Sequence, residues 1–449
     1  MKRVCLILFS TWYAVSLSAQ NVPNGNITRK AAIADAVPAS YSNTIVNYVR
    51  TWEPSMPTSD TTAVKAAGRL VSEVKQATQY FDGLGRPLQT VAKGISTGGK
   101  DIVSPVVYDA FGREAYRYLP YVPKTGNTND GKFKIDPFNS QKAFYQDTVL
   151  SPSSKGESIF YSQVDFEPSP LNRVLNSYAP GNSWSKSGGN HPVAQQYQIN
   201  TLADSVRIWN IPSAGGLPVS TGIYAAGQLY KNITVDEARN QIIEFKDKEG
   251  KVVLKKVQLN NTPGSAHMGW LCTYYIYDDL NNLVFVVPPL AVENIVSTWN
   301  LTNVAAELCF QYRYDERNRM IFKKVPGADF TEKVYDTRDR QVFMQDGNLR
   351  IADKWLVTFY DALNRPVETA LYKKKITRAA LQVSMNGVLN TTDSTSYTFP
   401  GVADLVTSVN DRNKYEATNS VTLTDGFDTG IGKEIEVLIN ATLNDGIGV

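Results

Sequence analysis

Short segments in which apolar or aromatic residues alternate with other side chains recur along this chain of 449 residues. Examples are Tyr275-Ile276-Tyr277, Tyr312-Arg313-Tyr314 and Gln341-Val342-Phe343. Because successive side chains of a strand point to opposite faces, this alternation places aromatic residues on one face of each strand. The pattern predicts a mainly β fold built from short strands.

A repeated motif separates these strands: an aromatic residue, Asp, two variable residues, then Gly, Asn or Asp, usually followed by a basic residue. A looser copy contains Asp247 and Gly250, and Val235-Asp236 begins one that is looser still. The intervals between the copies suit one hairpin per repeat. The turn residues that we assign in the six clear copies are Asp82, Gly85 and Arg86; Asp109, Gly112 and Arg113; Asp278 and Asn281; Asp315 and Asn318; Asp336 and Asp339; Asp361 and Asn364.

The spacing of this motif has a physical reason in the geometry of turns. An Asp at the start of a turn can accept hydrogen bonds from backbone N–H groups about two residues later. Three residues after the Asp the chain needs a left-handed conformation to re-enter a twisted sheet, which Gly, Asn and Asp tolerate best. Because the Asp recurs in every copy, we interpret it as a turn residue rather than a catalytic carboxylate.

These copies resemble the tyrosine-aspartate (YD) repeats of bacterial Rhs proteins. The region from about 47 to 209 also resembles the amino-terminal domain of unknown function in a secreted branch of that family. The resemblance implies antiparallel hairpins wound into a hollow β shell. With few repeats present, we expect a curved, open, shell-like sheet with exposed edges, since each repeat buries its face only against its neighbours. The markers of the amino-terminal region are Asn47-Tyr48-Val49-Arg50-Thr51, Gln79 to Pro87, Tyr108 to Glu114, Ser169 to Val174 and Ala179 to Trp184.

Composition and motifs divide the chain into five parts. We predict a signal peptide (1–19), a linker (20–45), an Rhs amino-terminal domain with the first YD motifs (46–215), a YD-repeat array (216–372) and a small C-terminal β module (373–449). Residues 417–439 of the last part resemble the short β coathanger stacks of exported bacterial proteins. The sequence lacks the core ending and variable effector tail of complete Rhs proteins, so we expect a short family member or a truncated gene.

The amino terminus has the order of a secretory signal peptide, with Lys2-Arg3, an apolar run, and the small residues Ser18 and Ala19. No later stretch approaches ~18 uninterrupted apolar residues, so we expect no transmembrane segment. Loss of Lys2 and Arg3 lowers the formal net charge from +3 to +1. Nucleic acid is therefore not an expected partner, and we interpret Lys373-Lys374-Lys375 as a solvated edge. The prediction is an exported protein of the periplasm, cell surface or medium.

Candidate catalytic residues are scarce, because the chain has 24 tyrosines but only two histidines. His191 and His267 lie in loop-like sequences without a neighbouring Cys or second His. The segment Asn127 to Gly131 is similar to part of a calcium loop, but it lacks the Glu of the twelfth position, which favours an ordinary polar turn. No phosphate-loop or nucleophile-elbow motif is present. We therefore expect no catalytic residue, metal or cofactor.

Two questions stay open at this point. In an exported chain, Cys272 and Cys309 could form a disulfide or remain buried free thiols. For function we favour a non-catalytic Rhs-type scaffold, acting in cell-envelope interaction or as part of a shell for an effector encoded elsewhere. The alternatives are a carbohydrate- or protein-binding surface and an enzyme in the amino-terminal domain. The expected partner is a protein that completes the shell or a surface glycan.

Overall fold

The structure, a computed structural model, describes residues 30–42, 45–213 and 215–387 and four short strands between 404 and 439. The predicted signal peptide and much of the predicted linker lie outside the described residues. The chain forms two compact units, residues 1–195 with 235–239, and residues 196–234 with 240–449. The five domain bounds stay predictions, and each unit is described by itself below.

In the first unit, a hairpin forms around the motif copy at Asp82, whereas the copy at Asp109 lies between two strands that belong to different sheets. One antiparallel sheet contains four strands in chain order, and a second antiparallel series follows it. The buried core of the first sheet contains Tyr80, Val91, Val103 and Tyr121. Its elements are β1 (Asn47–Pro54), α1 (Thr61–Lys65), β2 (Val74–Phe81), β3 (Pro87–Ala92), β4 (Ile102–Pro105), β5 (Tyr116–Tyr118), α2 (Pro137–Tyr145), a 3₁₀ turn (Pro152–Ser154), β6 (Tyr161–Phe166), β7 (Val174–Tyr178) and β8 (Val193–Ile199), which extends past the unit boundary.

In the second unit the strands from 241 to 373 form an open antiparallel series in chain order, which confirms the mainly β, antiparallel fold class. Its strands are β9 (Arg207–Asn210), β10 (Val219–Ile223), β11 (Tyr230–Val235), β12 (Gln241–Lys246), β13 (Val252–Gln258), β14 (Trp270–Tyr277), β15 (Leu283–Val287), β16 (Phe310–Tyr314), β17 (Met320–Lys324), β18 (Thr331–Tyr335), β19 (Gln341–Gln345), β20 (Lys354–Tyr360) and β21 (Pro366–Lys373). Its helices are a 3₁₀ turn (Leu202–Asp204), α3 (Pro289–Ile295), α4 (Ala305–Leu308), α5 (Gly347–Ile351) and α6 (Arg378–Asn386).

From β15 onward, pairing within a hairpin is longer than pairing between hairpins, whereas β13 and β14, of the first two hairpins, pair at five positions that end before the turns. The two strands that flank each motif turn pair over four to seven residue positions in β16–β17, β18–β19 and β20–β21. Between hairpins, the pairs β15–β16, β17–β18 and β19–β20 match at only two positions each. Neighbouring hairpins therefore separate toward their turns, where other contacts must hold them together.

The helix α6 packs onto the array although it lies beyond the last YD copy. Leu381 and Met385 of the helix are buried in one cluster with Trp355 and Tyr372 of the sheet. Gln382 accepts a hydrogen bond from the backbone N–H of Tyr335 and donates one to its carbonyl. The start of the predicted C-terminal part is thus part of the core of the second unit.

Four short strands are described after residue 403: β22 (Asp404–Thr407), β23 (Lys414–Ala417), β24 (Ser420–Leu423) and β25 (Glu436–Ile439). β22 pairs antiparallel with β21, and β22–β24 and β23–β25 pair in parallel. This agrees with a small β module, and because the intervening residues lie outside the described part, the coathanger resemblance stays a prediction. In the described part of the chain, no helix combines the length and apolar character needed to cross a membrane.

Candidate functional site

The turn that begins at Asp315 illustrates the geometry of the repeated motif. Its Oδ1 accepts hydrogen bonds from the backbone N–H groups of Arg317 and Arg319, both at 3.0 Å. The N–H of Asn318 donates to the Asp315 carbonyl, and Asn318 has a left-handed φ of 58°. One carboxylate oxygen thus binds two N–H groups that the sheet leaves free.

The other five assigned turns have the same arrangement. In each, Oδ1 of the Asp accepts from the N–H groups two and four residues later at 2.8 to 3.0 Å. The hydrogen bond from the N–H four residues later is the main cause that holds the pKa of Asp82 and Asp361 below the ordinary value. The left-handed residues are Gly85, Gly112, Asn281, Asp339 and Asn364, with φ between 62° and 77°.

The basic residue at the end of a turn contacts both its own turn and the next one. Arg319 forms an ion pair with Asp315 at 2.7 Å, and its guanidinium lies over the Tyr335 ring at 4.9 Å from the centroid. It also donates to Asp339 at 2.9 Å. A guanidinium on an aromatic face is a favourable cation–π contact. The same contact joins Arg86 to Tyr108, Arg113 to Phe166, Lys251 to Tyr277 and Arg340 to Tyr360.

The motif tyrosine completes the connection between turns. The hydroxyl of Tyr335 donates to the carbonyl of Met320, five residues after the Asp of the preceding turn, at 2.7 Å. This bond lies where neighbouring hairpins share no strand pairing, so the hydroxyl takes the place of a backbone donor. The equivalent bonds run from Tyr108 to Pro87, Tyr277 to Val252, Tyr314 to Leu283 and Tyr360 to Gln341, at 2.8 to 3.1 Å.

The choice between Gly and Asn at the left-handed position also follows from the neighbouring turn. At Gly112, a Cβ would come within 3.0 Å of Nη1 of Arg86, and φ is 77°. In the second unit, the four turns that follow the opening turn instead carry at this position a side chain that accepts a hydrogen bond from the last residue of the preceding turn. The donor–acceptor pairs are Lys251–Asn281, Asn282–Asn318, Arg319–Asp339 and Arg340–Asn364.

Together these contacts define two turn ladders, each being a row of motif turns joined by the residue that ends each turn (Arg, Lys or Asn), by Tyr or Phe and by the left-handed residue. The first ladder contains the turns that begin at Asp82, Asp109 and Glu167, and the second those at Asp247, Asp278, Asp315, Asp336 and Asp361. The opening turns have Phe81 and Lys246 at the tyrosine position. The later turns have a tyrosine there, except the turn at Glu167, where Phe166 keeps the ring under Arg113 but has no hydroxyl.

The turn at Glu167 was missed in the sequence because Glu replaces Asp and the loop is two residues longer. Arg173 bonds Glu167 through both Nε and Nη2, at 2.9 and 2.6 Å, and Asn172 is left-handed with φ 52°. Asn172 accepts from Arg113 at 3.1 Å, as its counterparts do in the second ladder. The sequence feature that could have revealed this turn is its ending, Asn172-Arg173, which matches the last two positions of the motif.

The segment that is similar to part of a calcium loop binds a lysine. Nζ of Lys134 donates to Asp101 Oδ2 at 2.7 Å, to Asp130 Oδ1 at 3.1 Å and to the Asn127 carbonyl. Lys134 and Asp101 are buried, so the ammonium group balances the negative charge of the carboxylate in the interior of the unit. No group of three or more His, Cys, Asp or Glu suited to hold a metal occurs among the residues that the structure describes.

The two histidines lie in different surroundings. His191 is exposed, and its Nδ1 lies 3.2 Å from the Glu237 carbonyl. His267 Nε2 lies 2.8 Å from the Tyr274 hydroxyl, which itself accepts from the N–H of Arg207. Burial lowers the pKa of His267 to about 4, so the ring is neutral at neutral pH.

A buried lysine and the two cysteines complete this region of the second unit. Lys256 donates to the carbonyls of Ser265 and Ala266, at 2.9 and 2.7 Å, and burial lowers its pKa to about 8. Cys272 and Cys309 are buried free thiols, and burial raises their pKa to about 11 and 12. Thiols with such pKa values are protonated at neutral pH and are poor nucleophiles.

Comparison with known proteins adds a family match for the first unit. Residues 50–199 match the domain of unknown function DUF6443. This agrees with the resemblance of residues 47 to 209 to such a domain, whereas no YD-repeat family matches. No curated protein matches the chain.

Several solved structures of Tc toxins resemble this chain. They include the crystal structure of TcdB2-TccC3, with 14% identity and a TM-score of 0.41 over 70% of this chain. The Tc holotoxin pore of Photorhabdus luminescens has 13% identity, the same TM-score and the same share of this chain. The crystal structure of TcdB2-TccC3-TEV has 13% identity and a TM-score of 0.42 over 69% of this chain. The chain spans only 13 to 14% of these proteins.

Proposed function

We propose that this chain is an exported, non-catalytic Rhs-type repeat scaffold. It would serve cell-envelope interaction or form part of a shell for an effector encoded elsewhere. The observation that carries the proposal is the turn ladder, in which neighbouring turns are joined by the side chain that ends one turn and by the aromatic residue and left-handed residue of the next, in most cases with a tyrosine hydroxyl bond as well. Such a structure grows by adding hairpins, as repeat scaffolds do.

The use of the polar residues supports a structural role. The carboxylates that recur in the motif accept backbone N–H groups and pair with Arg, so their lone pairs are engaged within each turn. A catalytic carboxylate instead needs a free oxygen that reaches a substrate. The His267 ring packs against the rings of Tyr274 and Trp299, at centroid distances of 5.9 and 4.8 Å.

The shell role is tested by co-expressing the full chain with the polypeptide encoded by the adjacent reading frame. We expect the two to co-elute in size-exclusion chromatography and the second polypeptide to resist trypsin only in the complex. The double variant Asp315→Ala/Asp336→Ala should lose this protection, whereas Asp279→Ala, at an exposed variable position of the motif, should keep it. Separate elution with unchanged digestion would contradict the shell role.

Export is tested separately by fractionating cells that express the full chain. We expect the protein outside the cytoplasm, with an amino terminus near residue 20 in mass spectrometry. A version without residues 2–19 should remain in the cytoplasm. Retention of the full chain there, with Met1 or Lys2 at its amino terminus, would contradict export.

A carbohydrate- or protein-binding surface is the second candidate, because the tips of the first ladder are apolar and exposed. Leu84, Phe111 and Leu171 occupy these tips with 69 to 81% of their surface exposed. An exposed aromatic ring can stack on a sugar face. A glycan array probed with the full chain and with Phe111→Ser tests this; signals at background for the full chain would exclude glycan binding by this surface.

A further inference from the structure

The last turn of the second ladder carries the joining groups but lacks a described neighbour for them. Side chains of Arg319 and Arg340, in internal turns, are 12% and 14% exposed. The equivalent Arg365 is 71% exposed, and its ion pair is with Asp361 of its own turn. Among the described residues, no aromatic ring lies over Arg365.

The backbone next to Arg365 is exposed as well. In the four earlier turns of the ladder, the carbonyl five residues after the Asp accepts the next tyrosine hydroxyl. At the last turn this residue is Pro366, and no tyrosine of the described part donates to it. On this side β21 pairs with β22 only at Ala370 and Leu371, so Pro366 and Val367 stay exposed.

We propose that this end turn binds a β-hairpin of another polypeptide that carries the aromatic-Asp motif with tyrosine at its first position. The incoming ring packs under the Arg365 guanidinium, its hydroxyl donates to the Pro366 carbonyl, and Arg365 donates to the left-handed residue of the incoming turn. These are the contacts that join the internal turns, so the binding surface continues an interface already present within the chain. The inference rests on the proposed scaffold function, since it names the partner that extends the scaffold.

The chemistry of the end turn selects against a second copy of this chain. The opening turns of its two ladders have Phe81 and Lys246 where the hydroxyl is required. A symmetric contact between two end turns would place Arg365 against Arg365, and like charges repel. The occupant is therefore a different polypeptide with an unpaired Tyr-Asp hairpin.

The probe for this test is a labelled, disulfide-cyclised peptide that copies residues 331–345, since an isolated hairpin is marginally stable. This hairpin contains Tyr335, which makes the joining contacts inside the array. Its binding to the full chain is measured by fluorescence anisotropy. Matched chains are Arg365→Gln and, as control, Arg117→Gln, which removes an arginine of similar exposure (69%) outside the ladders' joining contacts.

We expect saturable binding that becomes about tenfold weaker with Arg365→Gln, or with a peptide that carries Phe for Tyr335, because each change removes one joining contact. Arg117→Gln should bind as the unaltered chain does. Absence of saturable binding, or equal affinity for Arg365→Gln, would overturn the proposal. So would concentration-dependent dimerisation of the chain in analytical ultracentrifugation that Arg365→Gln abolishes, since the occupant would then be a second copy.

The outcomes separate this inference from the scaffold function. If the adjacent-frame polypeptide is protected and Arg365→Gln leaves its binding unchanged, the scaffold stands and the end-turn site is wrong. If the peptide binds with the expected dependence while no co-expressed polypeptide is protected, the end-turn site stands and the shell role is wrong.

Discussion

The two ends of the strands in the second unit are held by different kinds of contact. At one end, five motif turns repeat the same few side chains at the same spacing. At the other end, the connections 259–269, 288–309, 325–330 and 346–353 differ in length and contain the helices α3, α4 and α5. The ladder end depends on hydrogen bonds and ion pairs near the surface, whereas the connection end includes the packing of Tyr274 and Trp299 around His267. This difference predicts unequal responses to substitution.

The largest effect is expected at the connection end, where Tyr274 is fully buried. Tyr274→Ala should lower the free energy of unfolding by about 3 to 5 kcal/mol, because it leaves a cavity between His267 and Trp299. Urea titration followed by tryptophan fluorescence measures the change. Tyr274→Phe keeps the ring and should cost only about 1 to 3 kcal/mol for the unpaired groups. Equal losses in the two variants would mean that packing of the ring contributes little there.

At the ladder end, Asp315→Ala should cost less, about 1 to 2 kcal/mol, since it removes the acceptor for two backbone N–H groups that water can then reach. The matched substitution Asp279→Ala, at an exposed position of another turn, should change the free energy of unfolding by less than about 0.5 kcal/mol. The same urea titration compares them. A loss at Asp315 as large as that of Tyr274→Ala would remove the contrast between the two ends.

The tyrosine hydroxyl of the ladder should contribute about 1 kcal/mol, because it makes one hydrogen bond in a half-buried site. Tyr335→Phe removes that bond to Met320 and keeps the ring beneath Arg319. Tyr230→Phe, at a half-exposed ring, is the control and should be neutral. If Tyr335→Phe were also neutral, the ring and the arginine alone would join the hairpins.

The smallest effects are expected in the pH dependence of stability. The pKa of His267 is about 4 in the folded chain against an ordinary 6.5, so the unfolded chain takes up the proton first and stability falls from pH 6.5 to about 4. The hydrogen bond from Arg173 lowers the pKa of Glu167 from 4.5 to about 2, so its contribution is present above pH 4.5 and is lost toward pH 2. Urea titrations across pH measure both slopes.

Matched variants assign these two pH windows. His267→Gln should remove the slope between pH 6.5 and 4 and leave the lower window intact. Glu167→Gln should do the reverse. A slope that survives both substitutions would belong to other carboxylates, such as Asp147, whose pKa is lowered to about 2 chiefly by the Lys124 ammonium.

Much of the ladder end was predictable because its hydrogen bonds are local. The Asp and the left-handed residue lie three positions apart, and every predicted left-handed residue has a positive φ. The turn at Glu167 was not predicted because it is longer than the others. The partner of Lys134 was not predictable, since Asp101 lies 33 residues away and only folding brings it to the loop of Asp130.

The sequence by itself determined the strands, the turns and the antiparallel order, because alternation and turn chemistry act over a few neighbouring residues. The tertiary structure alone decided which carbonyl each tyrosine hydroxyl reaches, that α6 packs onto the array, and that partial burial lowers the pKa of His267. These depend on desolvation and on contacts between residues 15 to 47 positions apart, such as Tyr335 with Met320 of the preceding hairpin and with Gln382 of α6. Which residues make such long-range contacts is set by how the elements pack, and no local sequence pattern encodes it.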